Sequence, residues 1–345
     1  MIWLTWRQFR APALVTALAL ALLAAALGAT RAGLAHDYTA GLAACTGQAE
    51  GCTAGFLRKF FDAHQLGFLA VSAVVLVVPA LIGLFWGAPL IARELEAGTL
   101  RLVWNQSLTR SRWLAVKLGL TCAAATAAAG LVSLAGTWWA GPLDRAAVRD
   151  FVRMAPLAFG TRGVAPVGYA VFAFVLGVTV GLLLRRTLPA MVVTLAVFAA
   201  VQVLVPTLVR PHLMTPLRAT GAITAADIDG LRRGQQGDIV MLAVSGPEPG
   251  AWVLSSGSLD SRSAPVGEVV VPEVDGTACA PDKDPEHAME CLARLVTGYG
   301  YRKQVTYQPA DRFWAFQWIE TAGYLAVSGG LAGFCFWWIR RRRGV

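Results

Sequence analysis

Four groups of residues have types and spacings that can do chemistry. The first is the segment Ala92-Arg-Glu-Leu-Glu-Ala-Gly-Thr-Leu-Arg-Leu-Val-Trp-Asn-Gln-Ser-Leu-Thr-Arg-Ser-Arg-Trp113. Arg93 and Glu96 stand at i, i+3, a helical pairing distance. Gly98 can end that turn in a left-handed conformation. Thr99 can then cap a second short helix over 100–106, and Thr109 or Ser111 can start the helix that follows. Leu95, Leu102, Val103 and Trp104 give it an apolar ridge. The expectation is a compact helical knob of mixed charge, suited to pressing into a groove on a partner. The second group is two close cysteine pairs, Cys45 with Cys52 and Cys279 with Cys291. The third is Gln202 and Glu320, polar residues in or beside apolar runs. The fourth is the N-terminal Met-Ile-Trp-Leu-Thr-Trp-Arg-Gln-Phe-Arg, where Trp3, Trp6, Arg7 and Arg10 suit a short helix lying in a membrane interface, or the flank of a first span.

Other chemistries find little material. The four histidines, His36, His64, His212 and His287, form no His-Glu-x-x-His, and there is no Gly-x-Ser-x-Gly elbow. Ser255-Ser256-Gly257-Ser258 reads as a turn. Cys279, His287 and Cys291, with Asp282 or Glu286, would make a zinc set, but the pairing of cysteines in an oxidising compartment is the favoured reading. No metal and no catalytic residue are expected in this chain.

The elements that position these groups follow from composition. The chain has 345 residues, 56% hydrophobic and 15% charged, against about 25% charged in an average soluble domain. Runs free of Asp, Glu, Lys and Arg separate Arg10 from Arg31, Asp62 from Arg93, Lys117 from Asp144, Arg162 from Arg185, and Arg186 from Arg210; a sixth covers 321–339. Each is close to the roughly 20 residues that a spanning helix needs. The sequence therefore predicts an all-α polytopic membrane protein with six transmembrane helices. It excludes a soluble enzyme, a nucleic-acid-binding domain and a disordered chain. The first run, Ala11–Ala29, exceeds a signal-peptide core and is read as a retained span. Pro79 and Pro89 predict a kink or early exit in the second span.

Charge sets the orientation. With the N-terminus inside, thirteen basic residues against two acids (Glu94 and Glu96) fall on the inner side, in the N-terminal tail, 93–117, Arg185-Arg186 and 340–343. The outer side is nearly balanced, and the positive-inside rule selects N-in, C-in. The net charge of +9 then reports orientation and contact with anionic lipid, not a nucleic-acid partner. All four paired cysteines fall outside, as disulfides require; an outer loop of about 35 residues, by the span-length rule, would follow span one. The chain divides into 1–209, carrying five spans, the interfacial helix and the cytoplasmic segment 93–112; an extracytoplasmic lobe, 210–312, α/β or β-rich, with a short helix near 220–230 and strand-like runs at 238–244 and 252–254; and 313–345, the sixth span with its basic tail. Glu320, at the outer edge of span six, is expected to guard an exit path, to pair with Arg312 or Arg302, or to face water. Gln202 would touch substrate or bond to a neighbouring helix.

Arg93-Glu-x-Glu-x-Gly-Thr99, followed by Thr109-Arg-Ser-Arg-Trp113 and Lys117, resembles the signature of permeases of the type-two ABC exporter superfamily, at the family's position for its coupling helix between spans two and three. Thr5-Trp-Arg-Gln-Phe-Arg10 resembles the family's connecting helix. The lead into the last span, Tyr307 to Glu320, resembles an actinobacterial group of members. Where many members carry a proline before the arginine of this loop, Asn105-Gln106-Ser107 stands here. The resemblance implies a dimer of permease chains, identical or not, working with a cytoplasmic ABC ATPase, since this chain has no Gly-x4-Gly-Lys-Ser/Thr. ATP and Mg would belong to that partner. It also implies ATPase coupling through Arg93, Glu94, Glu96, Gly98, Thr99, Arg101, Arg110 and Arg112, with spans one, two and five lining the path. An apolar path would suit amphipathic or lipid-like cargo. The rival expectations are a non-transporting sensor or immunity protein using the lobe, and an ion-coupled carrier, which would need more ionisable residues within its spans.

Overall fold

A computed structural model describes residues 2–47, 52–98, 109–146, 151–233, 238–242, 247–271, 279 and 285–341. Among them are six helices long and apolar enough to cross a membrane. The chain splits into a helical unit, Met1–Leu213 with Trp314–Val345, and a second unit, Met214–Phe313.

In the helical unit, α1 runs from Ile2 to Ala44 and α2 from Cys52 to Ile82. At about 1.5 Å per residue, both exceed the roughly 30 Å hydrocarbon core. The expected interfacial helix at 2–10 is therefore continuous with span one, and most of the expected loop after it is helix. Apolar runs end at Arg31 and Asp62, but helices need not. Tyr38 packs edge-on to Phe60 with centroids 5.5 Å apart, and Phe61 packs on Phe68 and Phe151. This apolar seam carries the hairpin past its charges, and a Cys45–Cys52 disulfide joins the two helices.

Proline shapes the end of span two. Pro89 has no N–H to offer the carbonyl four residues back. The ladder widens into a π-turn over Gly83–Gly87, with Ala88 N–H donating to Gly83 O at 2.9 Å. A short helix, α3 (Pro89–Glu96), completes the span. Helix α4 (Arg110–Ala146) returns, and a short turn, α5 (Pro156–Phe159), leads into α6 (Ala165–Leu184). Helix α7 (Thr187–Leu204) ends in a second π-turn, Val205–Val209, at Pro206, and α9 (Phe313–Arg341) is the last span.

Helix α6 is buried along nearly its whole length. It carries almost no charge or polarity that needs water, and its glycines let the second span come to backbone contact. A Cβ at Gly177 would lie 2.5 Å from Gly83 O, one at Gly87 would lie 2.4 Å from Phe174 O, and one at Gly181 would lie 2.4 Å from Ala88 O. Small residues at such crossings are how helices pack where the surrounding lipid is as apolar as they are. Ile82, Ile91, Trp113, Leu114, Phe174, Leu182 and Ile339 form one buried cluster; Leu27, Leu34, Phe61, Phe68, Trp139 and Leu143 form another.

The second unit holds two antiparallel sheets and a helix, α8 (Pro285–Gly298). The strands are β1 (Leu217–Gly221), β2 (Ile228–Arg233), β3 (Asp238–Leu242), β4 (Trp252–Leu259), β5 (Pro265–Val266), β6 (Val269–Val271) and β7 (Arg302–Gln308). Their orders are β1-β7-β4-β5 and β2-β3-β6. The short helix expected near 220–230 is one 3-10 turn between β1 and β2. Thr224 and Asp227 cap its start reciprocally, and it ends after Ala225–Asp227 because Ile228 is already extended and opens β2. The Ser255–Ser258 run, expected as a turn, lies within β4, where its side chains are tolerated because much of this stretch is exposed. A Cys279–Cys291 disulfide ties α8 to the core of Ile223, Val240, Val271, Leu292 and Val296.

Asp227 is buried in that unit. Burial raises its pKa, but Lys303 Nζ at 2.7 Å, Thr224 Oγ1 at 2.7 Å and Thr224 N–H at 2.9 Å outweigh this and hold it below the usual carboxylate range. A carboxylate depressed on folding adds stability above its unfolded pKa and loses it as pH falls through the folded one. Thermal unfolding of the full chain between pH 7 and pH 2 will show an acid-induced loss in the wild type below roughly pH 4; Asp227→Asn will be less stable at neutral pH and will lack that part of the acid loss. The glycine crossing makes a second expectation. Gly177→Ala will lower the melting temperature in nanodiscs, by about 1–3 kcal/mol of stability if overpacking behaves as in other cores, whereas Gly333→Ala in α9, with open space around its Cβ, will leave it unchanged.

Candidate functional site

Polar chemistry in the helical unit gathers in two places. The first is the end of α3. Gly98 takes φ 69°, and Ala97 and Gly98 close the helix onto Arg93 O and Leu95 O. Glu94 forms an ion pair with Lys117 of α4, and Lys117 Nζ also lies 4.9 Å from the centroid of the Trp113 ring. Lys117 and Trp113 are buried. Glu96 accepts two hydrogen bonds at the start of α7, from Thr187 Oγ1 at 2.8 Å and Thr187 N–H at 3.2 Å. The helical i, i+3 spacing that suggested a local Arg93–Glu96 pair thus serves other helices instead. Arg93 and Arg112 are exposed, as is Arg10 in α1. Arg110 opens α4, and Trp3, Trp6 and Arg7 lie on α1. Thr99 and Arg101, with the expected helix at 100–106, lie outside the described residues.

The second place is a buried polar cluster joining α5, α6, α9 and the turn at Arg210 that follows α7. The guanidinium of Arg210 sits 4.1 Å over the Phe159 ring. Its Nε donates to Glu320 Oε2 at 2.7 Å, and Nη2 donates to Glu320 Oε1 at 3.0 Å and Tyr169 Oη at 3.3 Å. Nη1 reaches Pro156 O at 3.3 Å, and Tyr169 Oη donates to Glu320 Oε1 at 2.5 Å. Nearby, Tyr324 Oη donates to Gln202 Oε1 at 3.1 Å. Glu320 therefore pairs with Arg210 rather than with Arg312 or Arg302, and it does not face water. Arg312 donates to Thr215 O and Gln308 Oε1 instead. Gln202 makes the interhelical bond, one of its two expected roles.

Tyr169 and Tyr324 of this cluster have no counterpart in the sequence reading, and three further polar residues escape it. Arg162, fully buried, spans Asp144 Oδ2 at 3.2 Å and Thr161 Oγ1 at 2.8 Å, over the Phe68 ring. Gln317 Oε1 accepts from Val164 N–H at 2.9 Å and Ala165 N–H at 2.8 Å, capping α6, while its Nε2 donates to Phe159 O at 3.0 Å. In the sequence Arg210 marks only the end of an apolar run. The available signal was that the sequence gives each of these arginines an acid at a comparable depth on another helix.

Chemically, these arrangements neutralise charge and fix helices; they do not activate a nucleophile. Among the described residues no group of three or more His, Cys, Asp and Glu could hold a metal ion. The helical unit thus combines six helices long and apolar enough to cross a membrane with a charged turn after the second, pinned to two other helices. Residues 17–210 match the family described as ABC-2 membrane transporter related, and the chain belongs to that family. It is a permease-like component of a membrane transporter. No curated protein and no solved structure matches it.

The Arg210–Glu320 pair gives a test. Arg210→Ala leaves a buried carboxylate without its cation, and losing one partner of such a pair costs about 3–5 kcal/mol. Melting in nanodiscs will fall sharply for Arg210→Ala and for Glu320→Ala, while the double Arg210→Met, Glu320→Leu will recover most of the loss.

Proposed function

We propose that this chain is the membrane-spanning subunit of an ABC exporter in the cell membrane, with both termini cytoplasmic. The observation that carries the reading is the end of α3. A short helix there hangs below a π-turn, stops at a left-handed glycine and is pinned by its two carboxylates to α4 and α7. In an ABC-2 protein a segment so placed is suited to receive movement from a separate ATPase.

In this reading two permease chains and two ATPase chains form the working exporter. ATP and Mg bind the ATPase chains, whose closure presses on 93–112. The basic excess around this segment, Arg185-Arg186 and the C-terminal arginines favours the cytoplasmic side for it. The apolar faces of α1, with Leu14, Leu18 and Leu22, and of α7, with Leu188, Val192 and Val203, are largely uncovered in the single chain. A second permease chain and lipid would share them, whether the chains are identical or not. Cargo passing along such surfaces would be amphipathic or lipid-like. Glu94, already held by Lys117, would act by orienting the segment, so direct contact with the ATPase falls to 99–104 and the exposed Arg93 and Arg112.

Gentle purification from the native membrane, with mass spectrometry of stoichiometric companions, tests this. The expected companion is an ATPase carrying Gly-x4-Gly-Lys-Ser/Thr, lost when Leu100, Leu102 and Trp104 are together replaced by Asp. A chain that stays alone, under conditions that preserve other ABC complexes from the same membrane, would overturn the reading.

A further inference from the structure

We propose that Glu96 is a positioning residue that couples α3 to span five by serving as the N-cap of α7 from another helix. Two residues look misplaced until they are taken together. Glu96 is the last residue of α3, where an acid meets the negative end of its own helix dipole. Arg186 precedes α7, offers no side-chain cap and sets a cation at a positive helix end. The first N–H groups of any helix lack internal partners. The Glu96 carboxylate accepts from Thr187 N–H and Thr187 Oγ1 and brings negative charge to that end. It corrects both defects at once.

The geometry makes this bond a link as well as a cap. Above α3 lies the π-turn Gly83–Gly87; below it lies Gly98 at φ 69°. Between these two irregular points α3 is a short rigid rod. Glu94 fixes it to α4 through Lys117 and Glu96 fixes it to α7. The connection entering α7 is itself tight, with Arg185 at φ 55°, so the start of α7 has little slack. A displacement of α3 must carry Thr187 with it or break the cap. From Thr187 the helix continues to Pro206 and then to Arg210, clamped on Glu320. Movement of α3 is thereby delivered along span five to the buried polar cluster. This inference rests on the reading that 93–112 receives the movement of an ATPase.

The test uses the complex as purified with its ATPase, reconstituted in nanodiscs. An environment-sensitive dye on Val203→Cys, exposed on the far half of α7, reports an ATP-plus-vanadate response. Hydrogen exchange at Thr187, the capped amide, and through the first turn of α7 reports the cap itself. In Glu96→Ala we expect the ATPase to co-purify as in the wild type, exchange at Thr187 and in that turn to rise about fivefold, the magnitude of a lost cap, and the dye response to fall at least about fivefold with it. Glu96→Gln keeps an acceptor and should restore both. Thr187→Ala keeps the N–H and should fall between. Unchanged exchange in Glu96→Ala, or a full dye response despite faster exchange, overturns the link while leaving the exporter reading intact. Loss of the ATPase from Glu96→Ala would also overturn it, making Glu96 a direct contact. A wild-type chain that retains no ATPase would overturn the exporter reading and this inference together.

Discussion

The helical unit depends on one close approach, the backbone contact between the end of span two and α6. A Cβ at any of Gly87, Gly177 or Gly181 would sit within about the length of a hydrogen bond of a carbonyl oxygen across the interface. That closeness has to be earned without a hydrophobic drive, because helices in lipid gain little by leaving one apolar medium for another. Dispersion and backbone proximity supply it. The π-turn at Gly83–Gly87 belongs to the same device. Pro89 forces the ladder to widen, and the widened turn presents Gly83 O and Ala88 toward α6. With α6 wrapped in this way, α4, α7 and α9 pack around a helix that is itself almost wholly apolar.

The polar groups obey a second constraint. Water is scarce inside such a bundle, so every helix end and charge needs a partner from the protein. Several of the solutions here join segments far apart in sequence. Gln317 caps α6 inside the bundle and Glu96, itself exposed, caps α7, although the residues preceding those helices, Val164 and Arg186, have no capping side chain of their own in use. Arg162 finds Asp144, Arg210 finds Glu320 and Lys117 finds Glu94. Each pair joins different segments of the fold. Burial makes each more demanding than a surface pair, since either partner alone would be an uncompensated charge.

This division explains what the sequence reveals. The six spans are legible because a run free of charge long enough to cross a bilayer has few other uses. The disulfide pairs are legible because short cysteine spacing combines with the single side of the membrane to which the charge pattern assigns all four cysteines. The helical extension of α1 and α2 is not, since Arg31, Asp37, Arg58 and Asp62 interrupt the apolar runs while Tyr38, Phe60 and Phe61 sustain the helices. The acids of α3 are visible, but their partners are not. A cap supplied from ninety-one residues away leaves no local motif, and Glu320 with Arg210 is separated by the whole lobe. In that lobe, short apolar runs mark β3 and the start of β4, whereas the Thr224–Asp227 capping box imitates the start of a longer helix that stops after one turn.

The two polar sites are related through α7. Its first residue is held by Glu96 and the chain past its last turn by Glu320, so a helix with a largely open apolar face is fixed near both ends by carboxylates from other helices. Between them it carries few polar contacts, Gln202 with Tyr324 among them, and a broad apolar face. A helix tethered at its ends and loosely held between can tilt as a rod while its ends remain paired, which a helix packed on all sides like α6 cannot do. Pro206 adds a weak point between the rod and the Arg210 clamp, because its π-turn has already given up the regular ladder. The fold thus separates a helix buried on all sides, α6, from a neighbour, α7, with an open apolar face. The charges that look expensive in a membrane are spent at the two places where that neighbour has to be held.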